Sequence, residues 1–258
     1  MIRRIGGNLT IRNGAAPEAS ASLEREGYAV IPGVLEPELI LQLTDEIAKA
    51  FATYGAERGR SDRSEFRYEM LNRAPVCQTA VGHPGILAVI EPLLGEDCHV
   101  IANTAWWNPA DFAGGPWHCD AGPHVPRAEG VPWDDRIPYP VFAIGAHLYL
   151  RDCPIECGPT AVVPGSHRSG RLPPFERMGD ATLDYEGRTA VPLEARAGDV
   201  ALFVSDSWHR GLPAQAGSTG RLFLQAHYAR RDLAQRIRPT AEVNHLSPEA
   251  AARITSPR

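Results

Sequence analysis

The chain has 258 residues and a net charge of −5, with 43% hydrophobic and 22% charged residues. That is enough chain for one domain with a sizeable core, and its mild acidity gives no reason to expect nucleic acid or an anionic membrane as a partner. No apolar run approaches the roughly 18 residues of a membrane span. The N-terminal MIRRIGGNLTIRNG lacks the apolar centre of a secretory signal. Five cysteines without a C-x-x-C pair fit reduced thiols in a cytoplasmic protein. No obligate protein partner is expected.

In chain order, YAVIPGVL (28–35) reads as a short strand ending at Pro32-Gly33. A helix should follow with Pro37 in its first turn, where a missing N–H costs little. Leu39, Leu43, Ile47 and Phe51 recur every four residues and give it one apolar face. ERGRSDRSEFRYEMLNR (57–73) is dense in arginine and acid and reads as a solvated loop or surface helix. HPGILAVIEPLLG (83–95) reads as a second helix closed by Gly95.

Beyond this point the chain turns strand-rich. VIANTAWW (100–107), VFAIGAHLYL (141–150), TAVVPG (160–165), DVALFVSDSW (199–208) and GRLFLQAHYA (220–229) are aliphatic or aromatic, each bounded by Gly, Pro or Asp. Strands joined by long loops, with no helix between them, predict an antiparallel sandwich or barrel with the early helices packed outside. We read a single domain over 1–258: helices over about 36–95, a strand core over about 97–230, and a surface tail over 231–258.

The stretch GGPWHCDAGPH (114–124) carries the chemistry. In an extended H-x-D, His118 and Asp120 share a face, since side chains alternate with period two. The pair fits a metal clamp, an acid/base pair or a polar turn, and spacing alone leaves all three open. Two imidazoles and one carboxylate form the facial triad of non-haem iron oxygenases. A third ligand would have to come from elsewhere in the chain, and His209, at the end of DVALFVSDSW beside Gly211 and Pro213, is one candidate among nine histidines that spacing alone does not single out. Arg221, twelve residues later, opens the next strand and could hold a carboxylate through two parallel hydrogen bonds. His147 reads as a core histidine within its strand.

Three blocks in order, WHCD (117–120), CGPTAVVPGSHRSG (157–170) and GDVALFVSDSWHRGLPAQAGSTGRLFLQAHYARR (198–231), resemble the phytanoyl-CoA dioxygenase family of Fe(II)/2-oxoglutarate oxygenases. The opening EREGYAVIPGVLEPELILQLTDEI is similar to the family's start. The resemblance implies an all-β core with flanking helices, a double-stranded β-helix (jelly roll, cupin-like). It implies Fe(II), 2-oxoglutarate and O2 as cofactors, with His118, Asp120 and His209 on iron. It also implies Arg221 on 2-oxoglutarate, with Thr160 and Trp106 as weaker contacts. This chain departs from the family pattern in three places: Cys157 stands where the family has asparagine before a glycine, Arg221 follows His209 by twelve residues where the family's step is about eleven, and Gly211 stands where it often has a small hydroxyl residue.

The implied activity is oxidation, by default hydroxylation, of an unactivated C–H bond in a small organic molecule, with 2-oxoglutarate converted to succinate and CO2. The intact Asp120 argues against halogenation, for which related enzymes carry a small residue there. The substrate would be a secondary metabolite, an amino-acid derivative or an acyl thioester. The proline-rich loop 121–140 is a candidate lid, with Arg127, Trp133 and Tyr139 as candidate substrate contacts. Gln225 and His227, sharing strand parity with Arg221, are further candidates. Two other classes compete: a catalytically inactive metal-binding jelly roll serving as a sensor or binding module, and a zinc hydrolase in which Arg221 would have no evident task.

Overall fold

A computed structural model describes residues 17–55 and 65–233, together with the backbone of two short paired strands, Ile2–Ile5 and Asn8–Ile11. Two antiparallel sheets form the core. The larger has six strands: β1 (Tyr28–Ile31), β2 (Glu65–Tyr68), β3 (His99–Asn108), β4 (Ala143–Tyr149), β7 (Val200–Val204) and β9 (Arg221–Ala229), in the spatial order β1-β7-β4-β9-β3-β2. The smaller has β5 (Thr160–Val162) between β6 (Val191–Pro192) and β8 (His209–Gly211). This is the jelly-roll architecture, an all-β core with flanking helices.

The larger sheet is covered on both faces, and residue parity decides which neighbour each side chain meets. Ile144, Ala146, Leu148, Leu202, Leu224 and Ala226 face helices α1 (Glu18–Glu26), α2 (Pro37–Thr53), α4 (Val76–Val81) and α5 (Pro84–Leu94), where Leu23, Leu43, Ile47, Ile86 and Ile90 are buried. The opposite parity supplies Tyr149, Ala201, Phe203 and Phe223, which meet Val162 and Leu193 between the sheets. A strand covered on both faces tends to a near-continuous apolar run, as β7 (VALFV) shows. On β9 the outward set is Leu222, Leu224, Ala226 and Tyr228, and the inward set is Arg221, Phe223, Gln225 and His227. The polar residues of that strand therefore all project into the space between the sheets.

The expected helices are present: α2 begins at Pro37 and α5 ends at Leu94 before Gly95. Three expectations need correction. DVALFVSDSW is not one strand; β7 ends at Val204, Ser205–Ser207 turn, and His209 opens β8 in the other sheet. His118 and Asp120 do not lie in a regular strand, since His118 makes an isolated bridge to His209 and the chain bends at Asp120. The arginine-rich stretch is not all solvated surface. Residues 65–68 form the edge strand β2, with Phe66 and Arg67 buried, followed by the one-turn helix α3 (Met70–Arg73). The buried Arg67 donates to the carbonyls of Phe51, Tyr54 and Phe66, so its charge sits among carbonyl oxygens while its stem packs inside.

None of the five cysteines forms a disulfide. Among the described residues no helix is long and apolar enough to cross a membrane. Most of the expected C-terminal tail, 234–258, lies outside the described residues.

The packing of α2 generates a contrast to measure. Leu43 is fully buried and Leu41, on the same helix, is 68% exposed. Leu43→Ala is expected to cost about 2–5 kcal/mol in urea unfolding, through lost transfer energy and a cavity. Leu41→Ala should stay within about 0.5 kcal/mol of the parent. Equal effects would contradict the assignment of the apolar face.

Candidate active site

The two histidines of the candidate metal group are joined through their backbones. The His118 N–H donates to the His209 carbonyl at 3.0 Å and the His209 N–H donates back at 2.9 Å. This reciprocal pair brings the two imidazoles to one face, with ring centroids 4.3 Å apart. Asp120 is held by its own N–H, which donates to the Ser205 carbonyl. The potential ligand atoms of His118, Asp120 and His209 all lie within 4.8 Å of one another.

The side chains are oriented as ligands need to be. His118 Nδ1 lies 2.9 Å from the Pro116 carbonyl oxygen, and His209 Nδ1 lies 3.0 Å from that of Ser207. A carbonyl only accepts, so each Nδ1 carries the proton and each Nε2 is turned inward. His209 Nε2 is 3.5 Å and His118 Nε2 3.9 Å from Asp120 Oδ1. Enclosure by the cavity walls, then the neighbouring His209, lowers the His118 imidazole to about 4. Burial pulls Asp120 upward, but His209 and His227 hold it well below the usual carboxylate range. Burial pulls His209 downward and Asp120 outweighs it, so His209 is raised. The donor set is thus an ionised carboxylate beside two inward-facing imidazole nitrogens. This composition fits Fe(II).

Arg221 lies at the start of β9, 6% exposed. Its Nη1 donates to Thr160 Oγ1 at 2.9 Å, while its buried Nε has no partner and no carboxylate pairs with it among the described residues. A buried guanidinium without a counter-charge is costly, so the arrangement fits an anionic ligand. Gly211 explains how the arginine reaches this position, because a Cβ there would run into the Arg221 guanidinium and the Phe112 ring. His147 Nδ1 lies 3.1 Å from Thr160 Oγ1. Burial and then the Arg221 charge push this imidazole well below its usual range, so it is neutral. Sequence reasoning placed His147 in the core and missed its link to Arg221 through Thr160.

The triad and Arg221 open onto one cavity of about 960 Å³. Phe66, Tyr68, Trp106, Phe112 and Met178 provide apolar wall, and Asn103, Gln225 and His227 provide polar groups. Trp106 stands between Phe66 and Phe223, with centroids 4.6 and 6.4 Å away, and its Nε1 donates to Gln225 Oε1 at 2.7 Å. It is cavity wall, turned to Gln225 instead of Arg221.

Three expected substrate contacts lie elsewhere. Arg127 donates to the carbonyls of Arg168 and Val131. Trp133 Nε1 donates to the Ile137 carbonyl. Tyr139 is buried and donates to Asp206 Oδ2 at 2.9 Å. None of the three lines the cavity that contains the triad. Asp206 is the residue sequence reasoning missed: it also accepts from the His124 N–H and lies 2.5 Å from His124 Nδ1. Both ends of loop 121–140 are tied to this one carboxylate, which pins the loop to the turn before His209. An acid in the Ser-Asp-Ser between the apolar VALFV and Trp208 of DVALFVSDSW was the available signal.

A comparison with protein families matches residues 23–220 to the phytanoyl-CoA dioxygenase (PhyH) family, a span that includes His118, Asp120 and His209 and stops one residue before Arg221. No curated protein matches the chain. Among solved structures, the epimerase SnoN from nogalamycin biosynthesis, in complex with Fe3+, alpha ketoglutarate and nogalamycin RO, is similar at 23% identity. It covers 90% of each chain with a TM-score of 0.65. The non-heme alpha ketoglutarate dependent carbocyclase SnoK is similar at 21% identity over 91% of this chain and 92% of its own, with a TM-score of 0.66. HygX from Streptomyces hygroscopicus, with nickel and 2-oxoglutarate bound, is similar at 17% identity over 90% and 94%, with a TM-score of 0.65. At these identities the likenesses speak to the fold. The family match spans well over half of the chain, which therefore belongs to the phytanoyl-CoA dioxygenase family, whose cofactors are Fe(II), 2-oxoglutarate and O2.

Proposed function

We propose that this chain hydroxylates an unactivated C–H bond of a small, ring-bearing organic molecule, coupled to conversion of 2-oxoglutarate to succinate and CO2. The observation that carries this reading is one cavity holding both a two-histidine, one-carboxylate cluster and a buried arginine with no counter-charge. His118, Asp120 and His209 would hold Fe(II), and Arg221 would hold the distal carboxylate of 2-oxoglutarate. Iron so bound supplies the redox chemistry that couples O2 reduction to oxidation of the oxo acid and the substrate.

The residues of the chain do the rest. The Pro116 and Ser207 carbonyls fix the histidine tautomers. Thr160 holds one arm of Arg221, leaving donors for a charge-assisted carboxylate contact. Phe66, Trp106, Phe112 and Met178 exclude water and offer apolar surface to a substrate. Asp120 occupies the position that halogenation would need vacant.

The similar structures include an epimerase and a carbocyclase by name, so the same site chemistry could end in stereochemical inversion or ring closure. Product analysis after incubation with isotopic O2 separates the outcomes. Hydroxylation places a labelled oxygen in the product, and epimerisation or ring closure does not. A secondary metabolite with fused or linked rings suits the aromatic walls better than a long acyl chain does.

Succinate formation gives the first tests. His209→Ala or His118→Ala should abolish 2-oxoglutarate-dependent succinate formation in a folded protein; near-parental rates would remove the assigned ligand set. Arg221→Leu should raise the 2-oxoglutarate concentration needed by at least about 30-fold, equivalent to roughly 2 kcal/mol of lost charge-assisted contact, with metal affinity unchanged. An unaltered 2-oxoglutarate requirement would move the anchor elsewhere. Gly211→Ala should also weaken 2-oxoglutarate binding, because the new Cβ needs space that the Arg221 guanidinium fills. Binding equal to the parent would show that Arg221 is not held against Gly211.

A further inference from the structure

His227 is not in the ligand set, yet it touches it. Its Nε2 lies 2.9 Å from Asp120 Oδ2, while the nitrogens of His118 and His209 face the other oxygen, Oδ1. An ionised carboxylate only accepts, so His227 Nε2 carries the hydrogen. We propose that His227 is a positioning residue that occupies Asp120 Oδ2 and confines this carboxylate to a single donor oxygen, Oδ1, toward the metal. The inference rests on the metal reading of the site given above.

The surrounding fold is shaped for this contact. Across the sheet, His227 stands opposite Gly145 on β4 and Ala102 on β3, the smallest available neighbours. A Cβ at Gly145 would lie 3.3 Å from His227 Cδ2 and 2.7 Å from the Phe203 ring, so the glycine leaves the imidazole its room. The register of β9 against β3 shifts between His227 and Tyr228. Such irregularities re-aim a side chain beside a site. Beside it, the Gln225 side chain is oriented by the Trp106 hydrogen bond to its Oε1, and its amide nitrogen, a donor like His227 Nε2–H, makes no hydrogen bond to that atom and leaves it to Asp120. The small neighbours Gly145 and Ala102 and the register shift thus leave the imidazole room to sit with its Nε2 on Asp120.

The chemical consequence is a count of positions. A carboxylate with two free oxygens can chelate one cation through both. Six-coordinate iron with two histidines and a chelating carboxylate keeps two open positions, and with a single carboxylate oxygen it keeps three. A bidentate oxo acid and O2 together require three. His227 would thus act on the metal through Asp120, without contacting it.

Titration of the metal-free full chain with Co(II), without 2-oxoglutarate, tests this by dissociation constant and visible spectrum. His227→Leu should weaken Co(II) binding by about 10–100-fold, the usual cost of losing an outer partner of a metal ligand, and should alter the visible Co(II) bands. His227→Gln, whose amide can still donate to Oδ2, should restore both. Parental affinity and an unchanged spectrum in the Leu variant would overturn the positioning role while leaving the metal site standing. A parent that takes up no Co(II) would overturn the metal reading, and this inference with it. Should melting curves show the Leu variant unfolded, the Gln and Asn variants decide. The shorter Asn should bind Co(II) more weakly than Gln by the same factor, and equal affinities would overturn the role.

Discussion

The arrangement depends on the reciprocal backbone pair between His118 and His209. Directly paired residues across an antiparallel bridge project to the same side, so this contact turns two histidines 91 positions apart (209 − 118) into one face of a cluster. Other features serve the pair. The turn Ser205–Ser207 carries the chain from the larger sheet to the smaller and delivers His209 to the bridge. The Ser205 carbonyl in that turn takes the Asp120 N–H, and the Asp206 side chain takes His124 and Tyr139. A single three-residue turn therefore organises both flanks of the candidate metal site.

The larger sheet provides the opposite wall by the same logic of parity. Helix packing fixes which residues of β9 face outward, and Arg221, Phe223, Gln225 and His227 are left facing the cavity as a direct result. A slip of one residue in β9 would bury Leu222 and Leu224 in the cavity and expose the polar set to the helices. The apolar contact between helices and sheet thus fixes where the guanidinium and the imidazoles lie. Polar contacts then set finer orientation: Trp106 to Gln225, Thr160 to Arg221 and His147, and His227 to Asp120.

Much of this was legible in the residues. The alternation in GRLFLQAHYA reveals β9 and its inward face, and Leu39, Leu43, Ile47 and Phe51 reveal α2, because both patterns follow from local periodicity. The pairing of H-x-D with His209 was legible only through the family resemblance, since no local rule selects one histidine among nine. The loop 121–140 was misread because its side chains bind partners far along the chain: Arg127 reaches Arg168, and Tyr139 and His124 reach Asp206. β2 was hidden by its charge. Arg67 looks solvated until its carbonyl partners at Phe51 and Tyr54 are known. The break between Val204 and His209 was hidden because a turn and two strands share one apolar stretch.

The central claim is that Fe(II) at the triad and 2-oxoglutarate at Arg221 meet in one cavity. Anaerobic addition of 2-oxoglutarate to the Fe(II)-loaded protein tests it most directly, through the visible metal-to-ligand charge-transfer band that forms only when the oxo acid chelates the iron. A band in the parent that is lost in Asp120→Ala is the expected result. No band in a folded, iron-loaded parent would contradict the assignment and favour a jelly roll that binds a metal without this chemistry.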